Sequence, residues 1–150
     1  MIRLRRLLVD YAVSNIGHMV NSVRLSWLSV VVRVYVGVAL ATVAVLAVLS
    51  GAGSSLATPE AWVHAVIVSV FAAVLPLRLR AAQKGRRSGL RALGIISGVL
   101  VLVNAVEAMV PGLFPAWMRV EMIGVAALMA FAVLLVAQVA VSLRHEVRAG

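Results

Sequence analysis

Four long apolar stretches, separated by polar breaks, dominate the hydropathy pattern of this 150-residue chain. Each stretch is close to the ~20 residues that an α-helix needs to cross the hydrocarbon core of a bilayer. Such stretches are too long for β-strands, and lipid accepts only helices or closed barrels. We therefore predict an all-α integral membrane protein, with a single membrane domain and transmembrane helices at 27–49, 61–77, 92–110 and 120–143.

Cap and turn residues mark the ends of these predicted helices. Thr58, Pro59 and Glu60 have the form of an N-cap, a first-turn proline and an acid at the positive end of the helix dipole. Pro111 and Gly112 are expected to end the third helix. The pattern therefore favours helical hairpins joined by short connections.

Residues 3–25, before the first apolar stretch, have a different pattern. Polar residues recur every three or four positions, and apolar residues fill much of the remaining surface. The basic start of this segment suits the headgroup layer of a membrane, so we predict an amphipathic interfacial helix at the cytoplasmic face. The alternative is that it packs on the protein's own basic loop or on another subunit.

Charge gives the chain an orientation. The chain is 63% hydrophobic and only 13% charged, with a net charge of +9. Under the positive-inside rule, both termini and a predicted basic loop at 78–91 are cytoplasmic, because Arg119 is the only basic residue expected on the other side. This predicts a multi-pass protein of the cell (inner or plasma) membrane. The residues expected to anchor anionic lipid headgroups are Arg3, Arg6, Arg78, Arg80, Lys84, Arg86 and Arg87.

Two other interpretations of these segments are less favoured. The basic residues do not interleave with aromatic ones, so we expect no nucleic acid among the partners. The small residues at Ser55 and Ala57 resemble a signal-peptidase site, but the segment up to Arg33 is too long for the basic start of a signal peptide. We expect the first span to be retained; cleavage would leave three spans.

Most of the acidic residues fall at the end opposite the basic loop. Glu60, Glu107 and Glu121 lie at predicted helix ends, and His64 and Asn104 are each one turn from one of them. The sequence therefore predicts a candidate polar pocket of these five residues. An acid inside a span is costly unless it is paired, hydrated or protonated, so Glu107 is a candidate for conduction or proton transfer. Structural hydrogen bonding is the alternative for that residue.

No motif assigns a reaction to this pocket. The chain lacks cysteine, an HExxH metal motif and a glycine-rich phosphate-binding loop. We therefore predict no metal, no cofactor and no enzymatic activity. An intramembrane enzyme using the acids and the histidine is the last-ranked alternative.

Small residues predict where helices pack. Gly94 and Gly98 form a GxxxG pattern, which lets membrane helices approach closely. The other small residues expected at packing faces are Ala105, Ala126, Ala130 and Ala137. These faces suit packing within one four-helix bundle, or contact with another copy of the chain.

The layout allows three classes of function. Its size, small loops and basic ends resemble phage holins and small accessory subunits of membrane complexes, without a shared motif. We expect a non-enzymatic subunit or interaction protein, in a homo-oligomer or a larger membrane complex. The alternatives are an oligomeric hole-former or a small proton-linked channel with Glu107 near its pathway, and then the enzyme.

Overall fold

The computed structural model describes residues 2–149, and it describes side chains at residue 19 and residues 21–144. This part of the chain contains four helices: α1 (Ile2–Gly51), α2 (Pro59–Gln83), α3 (Arg87–Met109) and α4 (Ala116–Ala149). Each helix contains a segment long and apolar enough to cross a membrane. The predicted all-helical class with four candidate spans is confirmed.

The four helices form a closed ring. Each helix packs on its neighbours in sequence, and α4 packs back on α1. Short connections make consecutive helices antiparallel. The α2–α3 turn therefore lies at one end of the bundle, which we call the basic end. The α1–α2 and α3–α4 connections lie at the opposite end, with Glu60, Glu107 and Glu121, and we call this the acidic end.

The first helix is longer than the sequence pattern indicates. The amphipathic segment predicted at 3–25 and the span predicted at 27–49 belong to one continuous helix, α1. No proline or glycine occurs between residues 18 and 36, so no helix-breaking residue separates the two segments. Most side chains of the amphipathic segment, including Arg3 and Arg6, lie outside those that the structure describes. Its position at a membrane surface stays a prediction.

The structure also corrects the basic loop predicted at 78–91. Helix α2 continues to Gln83 and α3 begins at Arg87, so only three residues lie between them. Arginine, lysine and alanine are good helix formers, and the helices therefore continue beyond their apolar stretches. Gly85, with a φ of 76°, adopts the left-handed conformation that this tight turn requires.

Close backbone contact at the α2–α3 turn depends on Gly89. A Cβ atom on this residue would lie 2.6 Å from the backbone nitrogen of Ala82 and 2.8 Å from the Cβ of Ala81. The first turn of α3 therefore rests directly on the last turn of α2. No larger residue fits there without moving a backbone.

Large side chains fill the axis of the bundle. Tyr35 is completely buried, and its hydroxyl donates a hydrogen bond to the carbonyl oxygen of Val68 at 3.1 Å. The other large side chains that are less than 2% exposed include Leu28, Leu46, Leu75, Leu93, Leu100, Met118, Met122 and Met129. Dispersion contacts among closely packed groups of this kind hold helices together.

We predict that Gly89→Ala destabilises the fold by about 1–3 kcal/mol, the usual cost of forcing atoms into a filled space. Gly98→Ala is the matched control, because a Cβ there meets nothing within 4 Å. Unfolding in mixed micelles, followed by circular dichroism, measures both variants. Equal stability of the two variants would show that the α2–α3 turn is not closely packed.

Candidate functional site

The acidic end contains a histidine–carboxylate pair between two helices. Nδ1 of His64 on α2 lies 2.5 Å from Oε2 of Glu107 on α3. The His64 side chain is 4% exposed and that of Glu107 is 25% exposed. The ring of Phe114 covers the imidazole edge-on, with 5.8 Å between ring centroids. The pair therefore sits at the edge of the core, with Glu107 its more accessible member.

The N-terminal cap of α2 positions His64. The Thr58 hydroxyl accepts a hydrogen bond from the backbone N–H of Ala61, as the sequence predicts for an N-cap, and the oxygen lies 3.3 Å from the nitrogen. From this start, Ala61, His64, Ala65 and Val68 follow the spacing of one buried helix face. His64 therefore faces the bundle interior rather than its outer surface.

A second polar contact joins α4 to α1. The carboxylate of Glu121 accepts a hydrogen bond from the hydroxyl of Thr42. Thr42 is only 3% exposed, and its hydroxyl oxygen also lies 2.9 Å from the carbonyl oxygen of Val38. Glu121 is thus held by a neighbouring helix instead of lying free in the first turns of α4.

Arg119 makes a third contact, between α4 and the end of α3. Its Nε donates a hydrogen bond to the carbonyl oxygen of Ala108 at 3.0 Å. Carbonyls in the last turn of a helix lack an intrahelical partner and carry the negative end of the helix dipole. The guanidinium of Arg119 therefore caps the C-terminus of α3.

Asn104 lies one turn deeper on α3 than Glu107 and is completely buried. Its Nδ2 donates to the carbonyl oxygen of Leu100 at 2.8 Å, whereas its Oδ1 has no hydrogen-bond partner among the described residues. A buried polar atom left unpaired costs about 1–3 kcal/mol. Asn104 is therefore a residue of the predicted pocket that is buried with one polar atom unpaired among the described residues.

The structure brings only part of the predicted pocket together. His64 contacts Glu107, and Asn104 is buried one turn along α3 from Glu107, while Glu121 bonds instead to Thr42. Glu60 is exposed in the first turn of α2, where an acid favours the helix dipole. Among the described residues, no group of three or more histidines and acids is arranged to hold a metal ion.

Sequence reasoning missed Thr42 and Tyr35. Both interrupt otherwise apolar parts of α1, and both bond across to a neighbouring helix. A polar group inside an apolar span is itself the signal, because its hydrogen bonds must be made within the protein. The pattern identifies such residues, but not their partners.

The small residues predicted to pack have different surroundings. Gly94 faces α4 closely, since a Cβ there would lie 3.0 Å from Cγ1 of Val136. A Cβ on Gly98 would meet nothing within 4 Å, and Ala137 is exposed. The other predicted packing residues, Ala105, Ala126 and Ala130, are half-buried. The inward face of α4 is formed instead by Met118, Met122, Val125, Met129, Ala132, Val136 and Val139.

The predicted headgroup anchors with described side chains are all exposed at the basic end: Arg78, Arg80, Lys84, Arg86 and Arg87. Arg24, partly buried on α1, instead donates to the carbonyl oxygen of Gln138 on α4 at 3.3 Å. The two ends of the bundle therefore differ in character. Polar groups bond between helices at the acidic end, whereas these cations point away from the protein at the basic end.

No protein-family model matches this chain, and no curated protein or solved structure matches it either. The fold and the site define the class of protein: an all-helical chain with four helices long and apolar enough to cross a membrane. These features are compatible with a small multi-pass membrane protein.

We predict a coupling of about 0.5–3 kcal/mol between His64 and Glu107 in a double-mutant cycle, as expected for side chains in direct contact. The variants are His64→Leu, Glu107→Leu and the double mutant, and unfolding in mixed micelles measures their stability. The control cycle combines His64→Leu with Gln83→Leu, at an exposed polar residue near the other end of α2, where the two effects should add. Additive effects in the first cycle would mean that the pair does not stabilise the bundle.

Proposed function

We propose that this chain is a non-enzymatic subunit or interaction protein of a membrane complex and that it acts through its outer helical surface. The filled bundle axis is the observation that carries this proposal. Residues such as Leu93, Leu100 and Met129 close the interior, each at most 1% exposed. In the part of the chain that the structure describes, these side chains occupy the interior that a substrate or a permeant would need.

The polar groups at the acidic end support the same conclusion. His64, Thr42 and Arg119 each bond to a neighbouring helix. Polar groups bonded between helices hold those helices together. This role accounts for the three residues, so no catalytic role is needed to explain them. A catalytic cluster would instead direct several polar groups toward one accessible point.

The outer surface is where the chain has contacts to offer. Large apolar side chains are exposed on every helix, including Leu40, Val63, Leu102 and Leu134 at 60–65% exposure. Apolar patches of this extent are covered by lipid or by partner helices. Lipid covers apolar side chains as well as a helix does, so a specific partner is selected by close packing.

The basic end supports a proposal for the orientation. We propose that this end faces the cytoplasm, with both termini on the same side, in the cell membrane. The exposed arginines there support this orientation, because basic residues concentrate on the cytoplasmic side of membrane proteins. The acidic end then faces the opposite side of the membrane.

The His64–Glu107 pair favours one second candidate, proton-linked permeation. Histidine and carboxylate side chains form proton relays in membrane proteins, and His64 and Glu107 lie 2.5 Å apart in segments apolar enough to span a membrane. The filled axis opposes a path through one copy. A permeation path of this kind would have to run between copies of the chain.

Proton flux into liposomes separates the two candidates. The purified protein is reconstituted into liposomes that contain a pH-sensitive dye. An outward potassium gradient with valinomycin creates a membrane potential that is negative inside. We expect acidification no faster than in empty liposomes. Flux that is lost in Glu107→Gln and kept in Glu60→Gln would establish proton-linked permeation. Release of the dye itself would establish a hole-former.

Site-specific cross-linking in native membranes tests the subunit function directly. Because the chain contains no cysteine, single cysteines can be introduced without background labelling. A photoactivatable maleimide is attached at one outward position on each helix: Leu40→Cys, Val70→Cys, Leu102→Cys or Leu134→Cys. We expect the yield of cross-linked adducts to differ among these four variants. One or two faces should give an adduct of defined mass, identified by mass spectrometry as the same chain or another membrane protein.

Two results of the cross-linking would contradict the subunit function. One is the absence of defined adducts at all four outward positions. The other is an equal yield of defined adducts at Leu100→Cys, the control, because Leu100 is only 1% exposed and faces the bundle interior.

A further inference from the structure

A groove of about 940 Å³ opens on the outside of the bundle, between the start of α3 and the second half of α4. Three arginines line it at the basic end: Arg87, Arg91 and Arg144. Apolar side chains continue the groove toward the middle of the bundle. Its volume lies within the roughly 300–1,000 Å³ typical of small-molecule sites.

Helical spacing divides the groove into two parts. On α3, Arg87, Arg91 and Ile95 follow one another at intervals of four residues and share one face. Helix α4 runs the other way, and its lining residues include Val136, Ala140 and Arg144 at the same interval. The antiparallel pair therefore places its three arginines at one end of the groove, and Ile95, Val136 and Ala140 toward the other.

Close packing continues at the inner end of the groove. Gly94 lies against Val136, and a Cβ on the glycine would come within 3.0 Å of the valine side chain. The two helices thus approach each other closely where the apolar part lies. The result is a recess with an apolar wall and a charged mouth.

The electrostatics of the mouth favour an anion. None of the described residues that line the groove is acidic, and within the described side chains its three arginines make no ion pair. The N-cap of α3, Arg86, makes no side-chain cap hydrogen bond, and the positive end of the α3 dipole lies at the same place. Guanidinium groups bind phosphate oxygens in pairs of parallel hydrogen bonds.

We propose that this groove binds one anionic phospholipid. Its phosphate lies among Arg87, Arg91 and Arg144, and one acyl chain follows Ile95, Val136 and Ala140 toward the middle of the bundle. A phospholipid matches both parts of the groove, because it joins an anionic headgroup to an apolar chain. Basic recesses between membrane helices bind lipid headgroups in this way. The site requires the chain to span a membrane, but it is independent of the subunit and permeation functions.

The groove differs from a general attraction to anionic membranes. Arg78 and Arg80 carry the same charge at the same end of the bundle, but they lie on α2 and do not line the groove. A diffuse surface attraction depends on the number of charges, whereas a built site depends on their position. Any anchoring by these two arginines acts on a bilayer surface, which detergent removes, so in detergent they give a charge-matched control.

Native mass spectrometry of the purified protein in a mild detergent tests the site. The probes are phosphatidylglycerol and phosphatidylcholine with the same acyl chains. We expect the wild type to retain one phosphatidylglycerol and to bind phosphatidylcholine more weakly. The Arg91→Gln/Arg144→Gln variant should bind phosphatidylglycerol about tenfold more weakly, and Arg78→Gln/Arg80→Gln should bind it as the wild type does. Equal loss in the two double variants, or equal binding of the two lipids, would overturn the site.

The acyl-chain part of the groove has its own test. Ala140→Phe fills the apolar part and keeps all three arginines, so it should weaken phosphatidylglycerol binding on its own. Glycerol 3-phosphate, which has the anionic group without a chain, should not displace the lipid at equal concentration. Displacement by that probe would show a free-phosphate site and would contradict the lipid.

The folding of each variant is checked by circular dichroism and by its elution volume in size-exclusion chromatography. If Arg91→Gln/Arg144→Gln misfolds, Arg91→Lys decides the question of the headgroup. It keeps the charge and removes the guanidinium fork, so a folded Arg91→Lys should retain less phosphatidylglycerol than the wild type. Undiminished retention by that variant would overturn the assignment of Arg91 to the phosphate.

Discussion

Polar contacts between helices set the register of this bundle, and its other features depend on them. Each helix is uniformly apolar over most of its length, so apolar packing alone would allow neighbouring helices to slide or rotate. The His64–Glu107 and Thr42–Glu121 contacts join α2 to α3 and α4 to α1 at the acidic end. Near the basic end, Ser142 donates to Asn21 at 2.7 Å and so joins α4 to α1 again. Few alternative registers satisfy all of these bonds.

The fold was largely predictable from the sequence because membrane helices are read from length and apolarity alone. The four candidate spans and the N-cap at Thr58 follow from local pattern. The ends of the helices do not, because a helix continues past its apolar stretch wherever helix-forming residues follow. Residues 78–83 and 87–91 show this: they are strongly basic and yet helical. The joining of residues 3–25 to the first span has the same cause.

The candidate site was predictable in composition but not in pairing. Helical spacing places His64 and Glu107 at the same end of the bundle, and it places Glu121 there equally well. Which carboxylate meets the imidazole depends on the rotation of each helix about its axis, which the local pattern of a single helix does not give. Thr42 could not be assigned to Glu121 for the same reason. The α3–α4 groove likewise arises only when two antiparallel helices come together, since neither helix alone contains it.

The continuity of α1 couples its N-terminal turns mechanically to the bundle. At 1.5 Å per residue, its 50 residues extend about 75 Å, well over twice the ~30 Å thickness of a hydrocarbon core. An unbroken helix transmits a push or a tilt along its whole length, because its backbone hydrogen bonds resist bending. Displacement of the first turns of α1 would therefore reach the contacts that Asn21 and Arg24 make with α4. A force on the N-terminal end of α1, outside the apolar layer, would thus move α1 against α4 within the bundle.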